Sequence, residues 1–274
     1  MSLLLAVSLA LQMFNKGVDL YYQGKYREAI VAFTEAVRHD PYLWKAYRER
    51  ARAKEKLQMF NEALEDVNEY LSHFSEDQTA LYLRVRLYLK LKKYKEALND
   101  VDRLLEIAPE EPYYVYSRAL ILERLGNLKE ASELFKRAEK LFLSENFKKI
   151  CSVKAKVDRN AHVLSKSSDP EVRINSLQAI YQILQTENPI HIAPAIPFVV
   201  KSFFYGQGME WFLSKTVLVE YVRRLPQDRK WVWYLMDKEY SDWSKNRTKK
   251  EKKKMLSELK SIYSLMGRKI AVKK

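Results

Sequence analysis

Glycine and proline are scarce in this sequence, which contains six glycines and eight prolines among 274 residues. Average usage would give roughly twenty and fourteen. Folds built from strands and tight turns depend on these residues at their turns, so the shortage argues against such folds. With 47% apolar residues, the chain is predicted to be all-α with a buried core. One extended solenoid and two packed domains are both consistent with its length.

Disulfides and membrane spans are also lacking. The single cysteine, Cys151, has no partner for an intramolecular bond, which favours a reducing compartment and a buried or inert thiol. The opening MSLLLAVSLALQ is apolar, but no basic segment precedes it and it is too short to span a bilayer. We predict a soluble cytoplasmic protein without a membrane span, with secretion as the lesser alternative.

The sequence also lacks a recognisable catalytic motif. Gly206 and Gly208 flank a turn without the lysine and strand context of a phosphate-binding loop. No serine or cysteine lies in a nucleophile motif. The histidines are scattered, without metal-ligand spacing: His39, His73, His162 and His191. We predict that the protein is not an enzyme and uses no metal or cofactor.

Charge is divided unevenly along the chain. Residues 1–144 hold 23 lysines and arginines against 22 acidic residues, whereas residues 145–274 hold 26 against 13. The second half therefore carries nearly all of the net charge of +14. This asymmetry favours an acidic partner for the second half, whether nucleic acid, an anionic membrane or an acidic protein.

A 34-residue unit occurs four times without a gap, starting at Ala10, Trp44, Gln78 and Pro112. Position twenty of the unit is always an alanine: Ala29, Ala63, Ala97 and Ala131. Three residues earlier stand Tyr26, Phe60, Tyr94 and Leu128, and four residues later Phe33, Val67, Val101 and Phe135. The four copies are therefore in register.

This pattern resembles the tetratricopeptide repeat, whose small residue and following aromatic lie at these offsets. The resemblance implies that each copy is a pair of antiparallel helices and that stacked copies form a superhelical solenoid with a concave groove. In copy three it predicts helices over residues 80–91 and 94–107. It implies a binding scaffold and leaves the pathway open.

The resemblance places ligand contacts at positions 2, 5, 9, 12 and 13 of each first helix. Copy two has Lys45, Arg48, Arg52, Glu55 and Lys56 there. Copy three has Thr79, Tyr82, Arg86, Leu89 and Lys90, and copy four Tyr113, Tyr116, Leu120, Glu123 and Arg124. The candidate peptide-binding residues are the basic and tyrosine side chains of this set: Lys45, Arg48, Arg52, Lys56, Tyr82, Arg86, Lys90, Tyr113, Tyr116 and Arg124.

A basic groove with interleaved tyrosines favours a protein partner that presents an extended acidic segment. Guanidinium groups bind carboxylates through two parallel hydrogen bonds, and tyrosines add contact area at small entropic cost. The alternative is that these charges form a solvated face without a ligand.

The sequence argues against chaperone C-terminal tails as the ligand. Family members that hold such tails use lysine, asparagine and arginine side chains as a carboxylate clamp. The matching positions here are Phe14, Val18, Glu49, Thr79 and Leu83. In copy one the groove positions are apolar instead, which predicts a patch covered either by the residues before Ala10 or by another chain.

The repeat register fades after residue 144. Residues 145–166 are predicted to form a capping helix or linker, and residues 167–243 a helical domain that resembles HEAT or armadillo repeats. That resemblance rests on the Asp-Pro-x-Val-Arg opening at Asp169 and the apolar stripe that follows it. A helix pair over residues 190–204 and 209–225 is expected next, followed by a tryptophan-rich segment.

Residues 244–274 are predicted to form a basic amphipathic tail helix. Its apolar positions recur at helical spacing: Met255, Leu256, Leu259, Ile262, Tyr263, Met266 and Ile270. Such helices contact nucleic acid, anionic lipid or a partner's groove, or they dock on their own protein with solvated lysines. We expect a non-catalytic adaptor; the alternative is a nucleic-acid-associated protein or a structural subunit of a large assembly that uses the basic half.

Overall fold

The computed structural model of the chain describes residues 3–267, with side chains from residue 6 onward. These residues form helices joined by short turns, and no strand occurs among them. The chain has two compact units, residues 1–121 and residues 122–274. The prediction of an all-α helical solenoid is confirmed. Among the described residues, no helix is both long and apolar enough to cross a lipid bilayer.

The helices of the first unit follow the predicted pairs. They are α1 (Leu3–Tyr22), α2 (Tyr26–His39), α3 (Trp44–Lys56), α4 (Phe60–His73), α5 (Gln78–Lys90), α6 (Tyr94–Ile107) and α7 (Pro112–Leu125), which crosses the unit boundary. In copy three, the second helix has the predicted bounds, and the first begins two residues and ends one residue earlier than predicted.

The second unit contains longer and less regular helices. They are α8 (Leu128–Leu141), α9 (Glu145–Lys166), α10 (Pro170–Thr186), α11 (Ile196–Tyr205), α12 (Gly208–Arg224), α13 (Arg229–Ser244) and α14 (Lys249–Leu265). Two 3₁₀ segments, Pro189–Ala195 and Pro226–Asp228, connect α10 to α11 and α12 to α13.

The turn inside each repeat uses a left-handed backbone conformation at position fifteen. Copies one and four have glycine there, Gly24 with φ +77° and Gly126 with φ +84°. Copies two and three have Gln58 with φ 60° and Lys92 with φ 59°. A residue with a Cβ loses about 1 kcal/mol or more in this conformation, because its Cβ approaches the following carbonyl oxygen. The middle two turns are therefore strained.

The alanine at position twenty is fully buried in every copy. The residues four positions later in the first unit, Phe33, Val67 and Val101, are fully buried too. Gly17 of α1 lies against Phe33, and a Cβ at Gly17 would approach that ring to 2.6 Å. Small residues thus let paired helices approach closely while larger ones fill the space between layers.

The second unit departs from the predicted boundaries in two places. Helix α8 packs extensively on α9 and belongs to this unit, so the compact units divide at 121/122, whereas the predicted domains divide at 144/145. The predicted helix over residues 190–204 is wrong in its first part: residues 190–195 are 3₁₀, and α11 begins only at Ile196. Pro194 lies in this stretch and cannot donate the backbone hydrogen bond that an α-helix requires.

Other predictions for the second unit are confirmed. Asp169 caps α10 by accepting a hydrogen bond from the Glu171 backbone N–H at 2.9 Å. Cys151 is buried, and burial together with the charge of Glu139 raises the pKa of its thiol to about 11. A thiol with this pKa is protonated at neutral pH and therefore inert.

The tryptophan-rich segment is partly core and partly surface. Trp243 is buried beside Phe204, with ring centroids 6.4 Å apart. Trp231 and Tyr234 are exposed on α13. This segment therefore contributes Trp243 to the core and leaves those two side chains at the surface.

The tail helix α14 is docked through most of its predicted stripe. Leu259, Ile262, Tyr263 and Met266 are buried in the core of the second unit. Leu256 is exposed, contrary to the prediction, because it lies among lysines on another face of the helix. Ile270, like all of residues 268–274, lies outside the described residues.

Asp158 of α9 is a fully buried carboxyl group whose two oxygens find no hydrogen-bond partner among the described residues. Its neighbours include Glu123 and Lys154, which pair with each other at 2.5 Å. Burial and the charge of Glu123 raise the pKa of Asp158 to about 8, although Lys154 and Arg124 act in the opposite direction. At neutral pH the Asp158 side chain is therefore mostly protonated.

We expect Lys92→Gly to stabilise the protein by about 1 kcal/mol, because glycine adopts a positive φ without strain. Lys95→Gly, three residues later within α6, is the matched control, and it should destabilise by about 1 kcal/mol. Urea unfolding of both variants beside the wild type measures the two effects. A loss of stability in Lys92→Gly as large as that in Lys95→Gly would contradict the role of the strained turn.

The raised pKa of Asp158 also predicts a pH dependence of stability. The folded state binds the proton more tightly than the unfolded state, so the free energy of unfolding falls as pH rises from about 4 to about 8. Asp158→Asn removes this titration, and its advantage in thermal midpoint over the wild type should grow between pH 5 and pH 8. Circular dichroism melts provide the measurement, with exposed Glu133→Gln as control. A constant difference across this range would contradict the assignment.

Candidate functional site

The predicted groove residues of the first unit lie on α3, α5 and α7, and these helices are neighbours in series. Arg86 of α5 contacts Glu55 of α3, and the Tyr82 hydroxyl of α5 lies 3.4 Å from the Ser117 hydroxyl of α7. Arg124 is exposed but lies beyond residue 121, in the second unit. The other nine candidate residues belong to the first unit.

Exposure differs among the candidate side chains. Exposed members are Lys45, Lys56, Arg86, Lys90 and Tyr113, and half-buried ones are Arg48, Arg52, Tyr82 and Tyr116. Lys45, Lys56 and Lys90 form no ion pair with any other residue that the structure describes. These lysines therefore leave their charge available to a ligand.

Glu49 joins two of the candidate arginines. Its carboxylate accepts hydrogen bonds from Arg48 Nε and Nη2 at 3.1 and 3.0 Å and from Arg52 Nη1 at 2.5 Å. Arg48 also donates from Nη1 to Asp77 at 3.1 Å. All three nitrogens of Arg48 are thus used within the protein, whereas Arg52 uses one.

Asp77 links the end of copy two to the start of α5. It accepts hydrogen bonds from the Tyr70 hydroxyl at 2.7 Å and from the Ala80 backbone N–H at 3.0 Å, so it caps α5. Burial opposes ionisation, but these two bonds and the charge of Arg48 lower the pKa of Asp77 below its usual value. Asp77 is therefore a stable negative charge beside the groove.

Arg86 and Glu55 form the second ion pair of the groove. Arg86 donates from Nε and Nη2 to the two oxygens of Glu55, at 3.0 and 2.5 Å. The Arg86 side chain stays 44% exposed, compared with 23% for Arg48. The third nitrogen, Nη1, makes no hydrogen bond to another described residue.

Each groove arginine also lies over a tyrosine ring. The distances from guanidinium carbon to ring centroid are 4.8 Å for Arg52 over Tyr21, 5.4 Å for Arg48 over Tyr70 and 5.7 Å for Arg86 over Tyr82. Such stacking holds the planar groups in place while their edges remain able to donate. The result is a set of pre-positioned guanidinium groups.

The groove is therefore less uniformly basic than the sequence indicated. Glu49, Glu55 and Asp77 lie within it and neutralise part of the arginine charge. Sequence reasoning had placed Glu55 there and had named Glu49 only as a clamp position; it missed the pairing of Glu49 with the arginines, and it missed Asp77. Two signals could have found them: Asp77 precedes α5 at a capping position, and Glu49 is three residues before Arg52 on one helix.

Copy one continues the groove with an apolar surface. Residues 3–9 belong to the continuous helix α1 and do not fold back over Leu11, so that alternative is wrong for the described residues. Phe14 packs on Phe33 with centroids 5.8 Å apart, while Leu11 remains exposed. The patch is therefore smaller than predicted.

Two family models described as tetratricopeptide repeat match the chain, one over residues 48–112 and 82–142 and the other over residues 10–43. The chain is also 30% identical to the first repeat domain of Spaghetti (RPAP3) over 94% of that domain and 43% of this chain, with a TM-score of 0.42; that structure holds the HSP90 peptide SRMEEVD. The chain belongs to the tetratricopeptide repeat family.

More distant structures share the fold of this tetratricopeptide repeat protein. A tetratricopeptide repeat protein from Parabacteroides merdae is 17% identical, with a TM-score of 0.54, and the match covers 95% of this chain and all of that one. YrrB, described as having an unusual peptide-binding site, is 18% identical with a TM-score of 0.52, over 64% of this chain and 85% of that one. No curated protein matches the chain.

Position seven of the first helices carries a second row of arginines, roughly opposite the groove positions on the helix. We call Arg50, Arg84 and Arg118 the arginine ladder. Arg50 pairs with Asp66 through two bonds of 2.9 and 2.7 Å, and Arg84 with Asp100 through two of 2.7 Å.

The arginine ladder also crosses from each repeat to the preceding one. Arg50 donates to Thr34 at 3.2 Å, Arg84 to Asn68 at 3.0 Å and Arg118 to Asp102 at 2.7 Å. All three acceptors occupy position twenty-five of the preceding copy. The ladder thus fixes the first helices against their neighbours, which sets the orientation of the groove residues on their other side. Sequence reasoning missed it, although the recurrence of arginine at position seven was visible.

We expect Arg84→Met to destabilise the protein by about 3–5 kcal/mol, because it leaves Asp100, which is 2% exposed, as an unpaired buried charge. Arg84→Met with Asp100→Leu should recover most of that loss. Arg38→Met, at an exposed pair with Glu35, is the control, with an expected change of at most about 1 kcal/mol. Urea unfolding measures all three, and a loss in Arg84→Met no larger than in the control would contradict the structural role of the ladder.

Proposed function

We propose that this protein is a non-catalytic adaptor whose first unit holds an extended acidic segment of a partner protein. Tetratricopeptide repeat proteins mediate protein–protein interactions. The observation that carries the proposal is the state of Arg52 and Arg86: both are held in place by a carboxylate and a tyrosine ring, and both keep unused N–H donors.

The spare donors distinguish the roles of the groove arginines. Among the described residues, Arg52 donates only through Nη1, and Arg86 leaves Nη1 unused. Arg48 has no unused nitrogen and is the least exposed of the three. We therefore assign ligand carboxylates to Arg52 and Arg86, and assign Arg48 to positioning Glu49 and Asp77.

The lysines and tyrosines complete the proposed site. Lys45, Lys56 and Lys90 are exposed and add positive charge along α3 and α5. Tyr82, Tyr113 and Tyr116 supply the apolar contact area that a peptide backbone and side chains need. Arg124, which lies in the second unit, remains a candidate peptide-binding residue. Glu49, Glu55 and Asp77 limit where the acidic residues of the ligand can lie, because a ligand carboxylate close to one of these side chains is repelled.

The proposed ligand is an internal segment and not a chain end. The related domain of Spaghetti (RPAP3) holds the acidic peptide SRMEEVD. Here the clamp positions are Phe14, Val18, Glu49, Thr79 and Leu83. Glu49 already accepts hydrogen bonds from two arginines and, as a carboxylate, offers no donor to a terminal carboxylate. Recognition of chaperone tails through their C-terminal carboxylate is therefore not proposed.

The second unit is proposed to bind another component. We propose that its helices α10 to α13 form the HEAT-like domain, residues 167–243, and that α9 is the capping helix of the repeat domain. A cytoplasmic location, suggested by the single buried cysteine, is also a proposal. The alternative function, association with nucleic acid through the basic half, gains support from a specific observation on α14 that is described below.

Charge reversal in the groove tests the proposal. The probe is a fluorescein-labelled twelve-residue peptide of glutamate, aspartate and leucine with both termini blocked, titrated by anisotropy. We expect Arg52→Glu/Arg86→Glu to weaken binding at least about 10-fold, because each lost charge-assisted bond contributes roughly 1.5–3 kcal/mol. A peptide with glutamine and asparagine in place of the acids should bind equally weakly to both proteins.

Arg27→Glu/Arg38→Glu is the matched control, since both residues are exposed on α2 and the charge change is the same. It should bind the acidic peptide within about twofold of the wild type. Circular dichroism checks that helicity is retained. Equal affinity of the groove variant and the control would remove the groove as the binding site.

A further inference from the structure

Helix α14 presents a face of lysines that no acidic side chain neutralises. We define the lysine face as Lys249, Lys252, Lys253 and Lys260. These residues, with Leu256 and Ser257, line a shallow open groove of about 450 Å³ without a carboxylate in its wall. None of the four lysines forms an ion pair with another residue in the described part of the chain.

Both carboxylates of α14 are engaged elsewhere. Glu251 accepts hydrogen bonds from the Thr248 backbone N–H and hydroxyl, each at 2.8 Å, and lies 3.5 Å from Arg247. Glu258 lies 3.6 Å from Lys215 of α12. The acidic residues of the helix therefore serve its start and its docking, and they leave the lysine face uncompensated.

The helix is fixed in place, so the lysine face is displayed on a rigid support. A capping box at Thr248 and Glu251 closes its N-terminus. Leu259 and Ile262 are buried, and the Tyr263 hydroxyl donates to Asp237 of α13 at 2.6 Å. The buried stripe excludes the usual mode of an amphipathic helix on a bilayer, in which the apolar face enters the lipid.

The arrangement carries an energetic penalty without a ligand. Lys249 lies about one helical turn from both Lys252 and Lys253. Side chains of the same charge at this spacing destabilise a helix by roughly 0.2–0.5 kcal/mol per pair. A polyanion along the helix relieves this repulsion. From Lys249 to Lys260 the row rises about 16 Å along the axis at 1.5 Å per residue, which is long enough for several successive phosphates of one nucleic-acid strand.

We propose that the lysine face of α14 binds the phosphate backbone of a nucleic-acid duplex without reading its sequence. Lysine is a compact point charge with rotatable donors, which suits phosphates, and among the described residues the wall of the groove holds no arginine, asparagine or glutamine for two-bond contacts to base edges. An acidic protein is less well matched, since an uninterrupted row of charge fits the regular charge of a phosphodiester chain. Binding at this site is independent of the peptide groove in the first unit.

The test uses the full chain and a fluorescein-labelled 20-base-pair DNA duplex, titrated by anisotropy between 50 and 200 mM KCl. Four lysine contacts predict a slope of log K against log salt of about −3.6, hence a loss of affinity of about 100-fold across this range. Lys253→Gln should make the slope less steep by about 0.9. Replacement of all four lysines by glutamine should abolish binding of the duplex at 50 mM KCl. A second duplex of unrelated sequence should bind equally well.

The matched control replaces four exposed lysines of the first unit by glutamine, at Lys25, Lys92, Lys93 and Lys95. It removes the same net charge and should keep the wild-type slope. The proposal is overturned if the wild type does not bind the duplex, if the four-lysine variant binds like the wild type, or if the control loses as much affinity. Co-sedimentation with phosphatidylserine vesicles is a further arm; binding to vesicles but not to the duplex would assign the face to lipid and overturn the proposal.

Discussion

Helix pairs can be stacked into an array only where their axes approach closely, and this chain meets that constraint with one alanine in each repeat. The methyl group at position twenty is fully buried in all four copies, and a larger aromatic or aliphatic residue four positions later fills the neighbouring space. A larger side chain at the alanine would push the second helix away from its neighbours. The register of the groove residues on the first helices depends on this contact.

Arginine serves two different purposes in the first unit, and burial separates them. On one side of the first helices, Arg50 and Arg84 pair with Asp66 and Asp100, which are almost completely buried. Breaking such a pair leaves a buried charge and is costly. On the other side, Arg52 and Arg86 are 32% and 44% exposed, whereas the carboxylates that hold them, Glu49 and Glu55, are mostly buried. Each keeps unused N–H donors beside its protein carboxylate, and these donors are what we propose for a ligand carboxylate.

Much of the fold could be predicted because each position of the repeat occurs four times in the sequence. The spacing of alanines and aromatics predicted α6 with its observed bounds, and the Asp-Pro opening at Asp169 predicted the start of α10. In the second unit the 3₁₀ stretch around Pro194 was missed, because an apolar run does not by itself distinguish helix types. The strained turns at Gln58 and Lys92 were missed too, although Gly24 and Gly126 at the same position were visible in the sequence.

The residues of the candidate site come from the family resemblance and stay a prediction, whereas their electrostatics could not be predicted. The resemblance places these positions on the first helix of each repeat. Whether Arg86 is free or paired depends on the distance between α3 and α5 and on the rotamer of Glu55, neither of which has a sequence signal. The same limitation applies to α14: its stripe predicted docking, but the engagement of Glu251 and Glu258 that leaves the lysines uncompensated required the structure.

The central claim is that the concave face of the first unit holds the acidic peptide. The most direct measurement is photo-crosslinking with benzoylphenylalanine in place of Tyr113 on α7 and, separately, in place of Val31, which is exposed on α2. With the blocked acidic peptide as probe, we expect a crosslinked product from position 113 and none from position 31, with competition by unlabelled peptide. Equal crosslinking at the two positions, or crosslinking at position 31 alone, would contradict the account.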